Sequence, residues 1–421
     1  MVTQKPVGDR EKVVSKLPAW LRQDLKIRAA ELGVDIQDAA AEGIELWRAT
    51  DETLPAVDTS GAATFSTWLL PGQWDALKAT CHERGRIPFV QGLAQSIALW
   101  LREHPSPKHR PVTGIPRRKI VCNQKGGVGK TAVAAGIAEA YSEDPSAVVS
   151  IESGIVKAAT AAGIPRENLD ALAEAQQATG MGLRVLLVDY DPQGHLTKQL
   201  GLQHLPADGD SLAKHMSGQA TNGTIKDLVV TVKEPRFGGR LDVLPACPDS
   251  FLLDIMIVSA RNRQATLERA LEPLESDYDV IVVDCPPSLG VGMDAAIYYG
   301  RRRDGEAPGV SGTIIVVLAE DSSADAYAML IDQIESGKHD WRIEVDYLGL
   351  VVNAFDPRDG YIITSSMKSW LELGEGHPPV IAVIDRLKEQ REAVRGKVPL
   401  LSYAPDCPQA NVMRAIAKES L

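Results

Sequence analysis

The sequence predicts an α/β protein, a doubly wound and mostly parallel sheet with a phosphate-binding loop, preceded by a small, mainly helical domain. Three observations carry this expectation. An apolar run enters a glycine-rich turn and then a helix at residues 119–131, Lys-Ile-Val-Cys-Asn-Gln-Lys-Gly-Gly-Val-Gly-Lys-Thr. Further short apolar runs recur downstream, and several end in an aspartate or asparagine. The first hundred residues instead repeat a short β-prone run, a proline and two amphipathic helices.

Composition narrows the function classes. The 421 residues suffice for two or three domains, and a hydrophobic content of 44% is that of a globular chain. The formal net charge of −11 excludes a protein that binds nucleic acid with its whole surface, so any such contact needs a local basic patch. Cys81, Cys122, Cys247, Cys285 and Cys407 are scattered without a CxxC pair, which suits a reducing compartment and argues against structural zinc. No apolar leader opens the sequence and no run of 18 apolar residues follows, so a cytoplasmic protein is expected.

The repeat occupies residues 9–104. Leu17-Pro18 opens one copy, which closes at Trp47; Leu70-Pro71 opens the other, which closes at Trp100. Leu25 and Leu32 in the first copy, and Trp74, Leu77 and Cys81 in the second, step along helical faces. Alternation puts Val13, Ser15 and Leu17 on one strand face and Lys12, Val14 and Lys16 on the other. The repeat register then places Phe65, Thr67 and Leu69 on the groove-facing side of the second copy. A basic, proline-rich linker at 105–116 follows and, with Arg117, Arg118 and Lys119, reads as a phosphate-binding strap or a solvated connection.

Residues 119–131 have the layout of a phosphate-binding loop. Backbone amides of Gly126, Gly127, Val128, Gly129, Lys130, Thr131 and Ala132 cradle phosphate oxygens at the start of a helix over 132–141. Lys130 neutralises the β- and γ-phosphates, and the Thr131 hydroxyl turns to Mg²⁺. The loop departs from G-x-x-x-x-G-K-[ST] at Gln124 and gains a second lysine, Lys125. A helical insertion is expected at about 143–182, with helices over 155–162 and 166–179. The buried strand 184–188 ends in Asp189 and Asp191, where doubly wound sheets bind ligands. Then come a strand over 241–245, a helical stretch over 249–274 and a strand over 278–284 ending in Asp284. Further strands over 313–318, 347–353 and 380–384 complete the sheet. A short C-terminal helix with little apolar surface is expected to pack on this domain rather than anchor to a membrane.

The K-G-G-x-G-K-T loop, with Asp189-Tyr190-Asp191-Pro192-Gln193-Gly194, Asp284-Cys285-Pro286-Pro287-Ser288 and Val351-Val352-Asn353, resembles the ParA/MinD family of deviant-Walker ATPases over residues 117–421. Its wording is nearest the plasmid and chromosome partition proteins. The resemblance implies an ATP hydrolase using ATP and Mg²⁺, with Lys125, Lys130 and Asp191 catalytic. Asp189 would order the magnesium shell, Asp191 would orient water, Asp284 would hold the metal through water and Asn353 would meet adenine. It also implies an ATP-bound homodimer in which Lys125 reaches the partner's phosphates, a ParB-like centromere-binding partner and association with the nucleoid. Arg386, Lys388, Arg391 and Arg395 would bind DNA non-specifically. Residues 9–104 resemble a tandem ribbon-helix-helix module, which implies either DNA contacts by Lys12 and Lys16, possible operator DNA among them, or a dimerisation and partner-docking module. Two other functions stay open: a transcriptional autorepressor with ATP as effector, and a maturation or carrier ATPase on the same fold.

Overall fold

Strands β1 (Glu11–Leu17) and β2 (Ala63–Leu69) pair antiparallel, with Val13 opposite Thr67 and Lys16 opposite Thr64. The structure, a computed structural model, describes all residues except 1–9, 33, 51–53, 55, 58, 60–61, 105–113, 146, 152–153, 164–175, 222, 259 and 375. Two compact units result, Met1–Arg110 and Pro111–Leu421.

In the first unit each strand leads into two helices, α1 (Ala19–Glu31) and α2 (Ile36–Ala49), then α3 (Gln73–Glu83) and α4 (Phe89–Glu103). Asp35 caps α2 by accepting from Gln37 N at 2.8 Å. The two copies share one core, in which Leu25, Trp47, Leu77, Cys81 and Trp100 are buried. Helices α2 and α4 approach closely: a Cβ on Gly43 would lie 2.8 Å from Ser96 O. The Trp100 indole donates to Glu42 Oε2 at 2.9 Å, so its polar edge is satisfied while its rings fill the core.

The strand faces require one correction. Phe65, Thr67 and Leu69 point into the core, and the outward row of β2 is Thr64, Ser66 and Trp68, opposite Lys16, Val14 and Lys12. Strand β1 ends at Leu17, immediately before Pro18, but Leu70 intervenes between β2 and Pro71. A one-residue offset exchanges the two faces of a strand, and the apolar side chains decide which register is kept.

The second unit is a sheet of β3 (Arg117–Cys122), β6 (Val185–Asp189), β7 (Val230–Thr231), β8 (Leu241–Leu244), β9 (Val280–Asp284), β10 (Gly312–Leu318), β11 (Tyr347–Phe355) and β12 (Val380–Asp385). Their order is β12-β11-β10-β3-β9-β6-β8-β7, and only the β7–β8 pair is antiparallel. Successive strand residues alternate between two core layers. Leu186, Val188, Ile281, Val283, Ile315 and Val317 enter one; Val185, Leu187, Val280, Val282, Ile314 and Val316 enter the other. Both faces are therefore covered, as a parallel sheet requires. The second layer holds α5 (Lys130–Ser142) and the C-terminal helix Pro408–Glu419, whose Met413 lies against Gly136. Arg414 of that helix makes a buried pair with Glu143 at 2.8 Å, so this cation is structural. Among the described residues no helix is long and apolar enough to cross a membrane.

Three expectations change. In the insertion, α6 (Ile155–Ala161) forms as expected, but Gln176–Thr179 is a strand, β5, antiparallel to β4 (Val148–Ile151). Backbone pairing with β4 overrides the helical pattern there; the rest of the expected second helix, up to residue 175, lies outside the described residues. Residues 249–274 are not one helix but short turns of helix, Leu253–Ile257 and Thr266–Glu275 among them. Arg118 and Lys119 are no part of a phosphate strap. Both are fully buried, Arg118 against Glu306 at 2.5 Å and Lys119 donating to Val310 O at 2.7 Å and to Ser420 O. Burial pushes the Lys119 ammonium down to about 7. Lys108 and Arg110 lie outside the described residues.

Two outcomes follow. Trp100→Ala leaves a large cavity in the shared core of the first unit and should cost about 3–5 kcal/mol, read from denaturant melts of the full chain. Glu139 is fully buried in α5, accepts from Leu401 N at 2.9 Å with Oε2, and leaves Oε1 unpartnered. Burial pushes its carboxyl up to about 8. The folded state therefore keeps a proton that the unfolded chain releases near pH 4.5, so Glu139's contribution is full at low pH and is lost as pH rises through about 8. Glu139→Gln should match the wild-type melting temperature near pH 5 and exceed it at pH 8.5.

Candidate functional site

The loop between β3 and α5 stands at the carboxyl end of the central strand. Gly127 and Gly129 adopt φ of +76° and +96°, values that favour glycine. A Cβ on Gly127 would meet nothing within 4 Å, whereas one on Gly129 would lie 2.0 Å from Asn353 Nδ2. One glycine thus leaves the ligand side open and the other admits a close neighbour. Asn123 braces the loop from below, donating to Val316 O at 2.6 Å and accepting from Lys125 N at 3.0 Å. Gly126 is exposed, Val128 is buried, and Thr131 and Ala132 are half-buried at the start of α5.

Lys130 is buried, and its ammonium donates to Lys125 O at 3.0 Å, closing the loop. Desolvation lowers its pKa, opposed by the nearby carboxylates of Asp284 and Asp191. Asp284 is completely buried at the end of β9 and faces Asp189 across the β6–β9 register. Burial first, then the Asp189 charge, hold its carboxyl well above the usual range, against a lowering interaction with the Thr131 hydroxyl. That interaction falls short of a well-formed hydrogen bond, and neither Asp284 oxygen has a protein partner of good geometry. Asp189 Oδ2 accepts from Thr197 N and Oγ1 at 2.8 and 2.6 Å, while Oδ1 is buried and unpartnered. Burial pushes the Asp189 carboxyl up to about 6. Asp191 accepts from Gln193 N at 2.9 Å, shaping the turn that ends at Gly194.

Three orphaned carboxylate oxygens behind an open amide-lined loop fit a hydrated cation and a polyphosphate. Among the described residues no group of three or more His, Cys, Asp or Glu side chains could hold a metal unaided. A site offering one hydroxyl and one or two carboxylates suits Mg²⁺, which keeps several waters and takes phosphate oxygens as further ligands. Thr131, Asp284 and Asp189 are the residues that would hold it.

The fold gives several of the remaining residues partners within the chain. The Asn353 amide donates to Val128 O at 2.8 Å and ties β11 to the loop. Lys125 pairs with Glu320 at 3.1 Å within its own chain. Cys247 and Cys285 are buried thiols whose pKa values burial raises. Arg386 pairs with Asp359 at 2.8 Å and Lys388 with Glu392 at 3.7 Å. Arg391 and Arg395 are exposed on the helix Glu389–Gly396. Thr197, His204 and Glu320 went unnoticed in the sequence because they touch the site through the fold and belong to no local motif; His204 Nε2 lies 3.1 Å from Gly194 O.

A glycine loop with lysine and threonine, backed by acids at the ends of two adjacent parallel strands, defines a P-loop nucleotide-binding protein. Comparison with known proteins narrows the class. The sequence model of the AAA domain matches residues 169–301. The chain is 26% identical over 323 residues to an uncharacterised Mycobacterium tuberculosis protein, covering 76% of this chain and 82% of that one. It is 31% identical over 176 residues to the chromosome partitioning protein ParA of Myxococcus xanthus, covering 41% and 46%. Among solved structures, the ATP complex of Cyanothece McdA(D38A) superimposes with a TM-score of 0.53 at 14% identity, covering 73% of this chain and 96% of that one, a likeness of fold. These likenesses support a P-loop ATPase of the ParA/MinD type for the second unit.

Lys130→Ala removes the buried cation from the loop. ATP affinity, measured by equilibrium binding of a fluorescent analogue, should fall at least about a hundredfold, as losing a desolvated charge contact implies. A folded variant with unchanged affinity contradicts the site.

Proposed function

We propose that the chain is a partition-type ATPase that closes into a dimer on ATP, binds DNA in that state and releases it after hydrolysis. The observation that carries this reading is the set of unpartnered, buried carboxylate oxygens on Asp189 and Asp284 behind a loop with two lysines. The loop amides and Lys130 hold the phosphates. Thr131, Asp284 and Asp189 would hold Mg²⁺, which would neutralise charge on the β- and γ-phosphates. Asp191 orients the water that attacks the γ-phosphorus, and ADP is the leaving group. Lys125 exchanges Glu320 for the phosphates of the partner chain. The likeness to the Myxococcus chromosome partitioning protein supports a partitioning role; the setting proposed with it is nucleoid DNA in the cytoplasm and a ParB-like partner that stimulates hydrolysis.

The charge distribution supports DNA contact as part of this reading. Arg391 and Arg395 face solvent and, among the described residues, carry no ion pair, so they bind phosphates at little cost; Arg386 and Lys388 join them by leaving exposed pairs. In the first unit Lys12 and Lys16 flank Val14 on the outward face of a two-stranded ribbon, the geometry with which ribbon-helix-helix proteins enter a major groove. This face supports operator binding as a second contact and keeps an autorepressor role attached to the same chain.

DNA affinity measured without nucleotide, with ADP and with ATP tests the reading. Tight binding with ATP alone is expected; equal binding in all three states contradicts it. Arg391→Glu with Arg395→Glu should lower the ATP-state affinity about tenfold or more. It should also flatten the slope of log affinity against log salt by about two for each chain in contact with DNA.

A further inference from the structure

Thr197 is a fully buried hydroxyl residue in the helix His195–Gln199, and the reaction above leaves it without a role. Its amide and its hydroxyl both donate to one atom, Asp189 Oδ2, at 2.8 and 2.6 Å. The same hydroxyl oxygen accepts from Ala246 N at 3.0 Å, just beyond the end of β8. Two donors converging on one carboxylate oxygen leave the carboxyl group a single orientation. The other oxygen, Oδ1, is then the free one, and it is buried without a partner. Asp284, opposite in the strand register, has no well-formed hydrogen bond at either oxygen.

We infer that Thr197 is a positioning residue. It clamps Asp189 by Oδ2, presents Oδ1 to the hydrated divalent cation of the bound nucleotide, and is itself held in place by the backbone at Ala246. The inference rests on the nucleotide-binding reading given above. The clamp requires a hydroxyl in particular. The backbone amide alone supplies one donor, which lets the carboxyl group swing about that bond. The second donor removes that freedom, and accepting from Ala246 N leaves the hydroxyl proton pointing at the carboxylate. A serine reproduces both bonds. Valine keeps the shape and the amide bond but supplies neither. A residue serving packing alone would behave the other way, with valine tolerated and serine costly, because serine loses the methyl group.

The test uses full-length protein carrying Thr197→Val, Thr197→Ala or Thr197→Ser. Affinity for a fluorescent ATP analogue is measured in EDTA and across a Mg²⁺ titration, with thermal melts of the nucleotide-free proteins alongside. The expected result is a metal-free affinity within about twofold of wild type for every variant. The Mg²⁺ concentration giving half of the metal-dependent gain in affinity should rise about tenfold or more for valine and alanine, the usual effect of removing an outer partner of a metal ligand, and stay near wild type for serine. If valine does not fold, alanine decides. A wild-type Mg²⁺ requirement in the folded valine or alanine protein overturns the role, as does a serine protein as impaired as valine. A wild-type protein that binds ATP with no dependence on Mg²⁺ overturns the metal site and this role together. A Mg²⁺-dependent wild type with unshifted variants overturns the role of Thr197 alone.

Discussion

Three parallel strands deliver Lys130, Asp189, Asp191 and Asp284 to one crevice that water barely reaches, and the rest of the second unit is arranged around keeping them there. Asp284 is wholly buried and Asp189 nearly so. Carboxylates in such a place are costly unless paired, and these two face each other with oxygens to spare. The protein raises their pKa values and sets one ammonium beside them, which moderates the repulsion without removing it. What holds the arrangement is the pair of apolar layers on the two faces of the sheet, which leave the strand ends no alternative path. The residual strain is relieved by a ligand that brings positive charge, and this is how a fold stores affinity for a metal–phosphate pair.

The loop is held by residues remote in sequence. Asn123 ties it to β10, Asn353 ties it to β11, and Lys125 reaches Glu320 just after β10. On the opposite side, Thr197 and His204 fasten the Asp189–Gly194 turn to itself and to the end of β8. The loop and the acid turn are thus anchored to different strands. A nucleotide that touches both draws these anchors into one network. The Lys125–Glu320 pair is half-exposed and worth little on its own, so the proposed exchange of Glu320 for phosphate costs little.

The first unit solves a different problem. A two-stranded ribbon is not stable alone, and here both strands and all four helices lie in one chain and share one core. Burying Trp47 and Trp100 from equivalent helices makes each copy depend on the other. The outward ribbon face is left to Lys12, Lys16 and neighbours that the core does not need.

The sequence by itself determined the parallel sheet, the loop and the acids. Each is local: a continuous apolar run must be buried on both faces, positive φ favours glycine at 127 and 129, and an aspartate closing such a run must stand at a strand end. It also determined the repeat, because Trp47 and Trp100 recur at matching places. Tertiary structure decided the rest. The ribbon register depends on which strand face the core accepts, and one intervening leucine before Pro71 hid that from the repeat alignment. Gln176–Thr179 is a strand because β4 lies beside it. Arg118 and Lys119 read as solvated cations until Glu306, Val310 and Ser420 are brought around them from the far end of the chain. Asn353 and Lys125 have partners that no spacing foretells, and Thr197 acquires its place only when the ends of β6 and β8 meet. Local patterns say which residues must be buried or turned, but hydrogen-bond partners across hundreds of residues are chosen by the assembled fold.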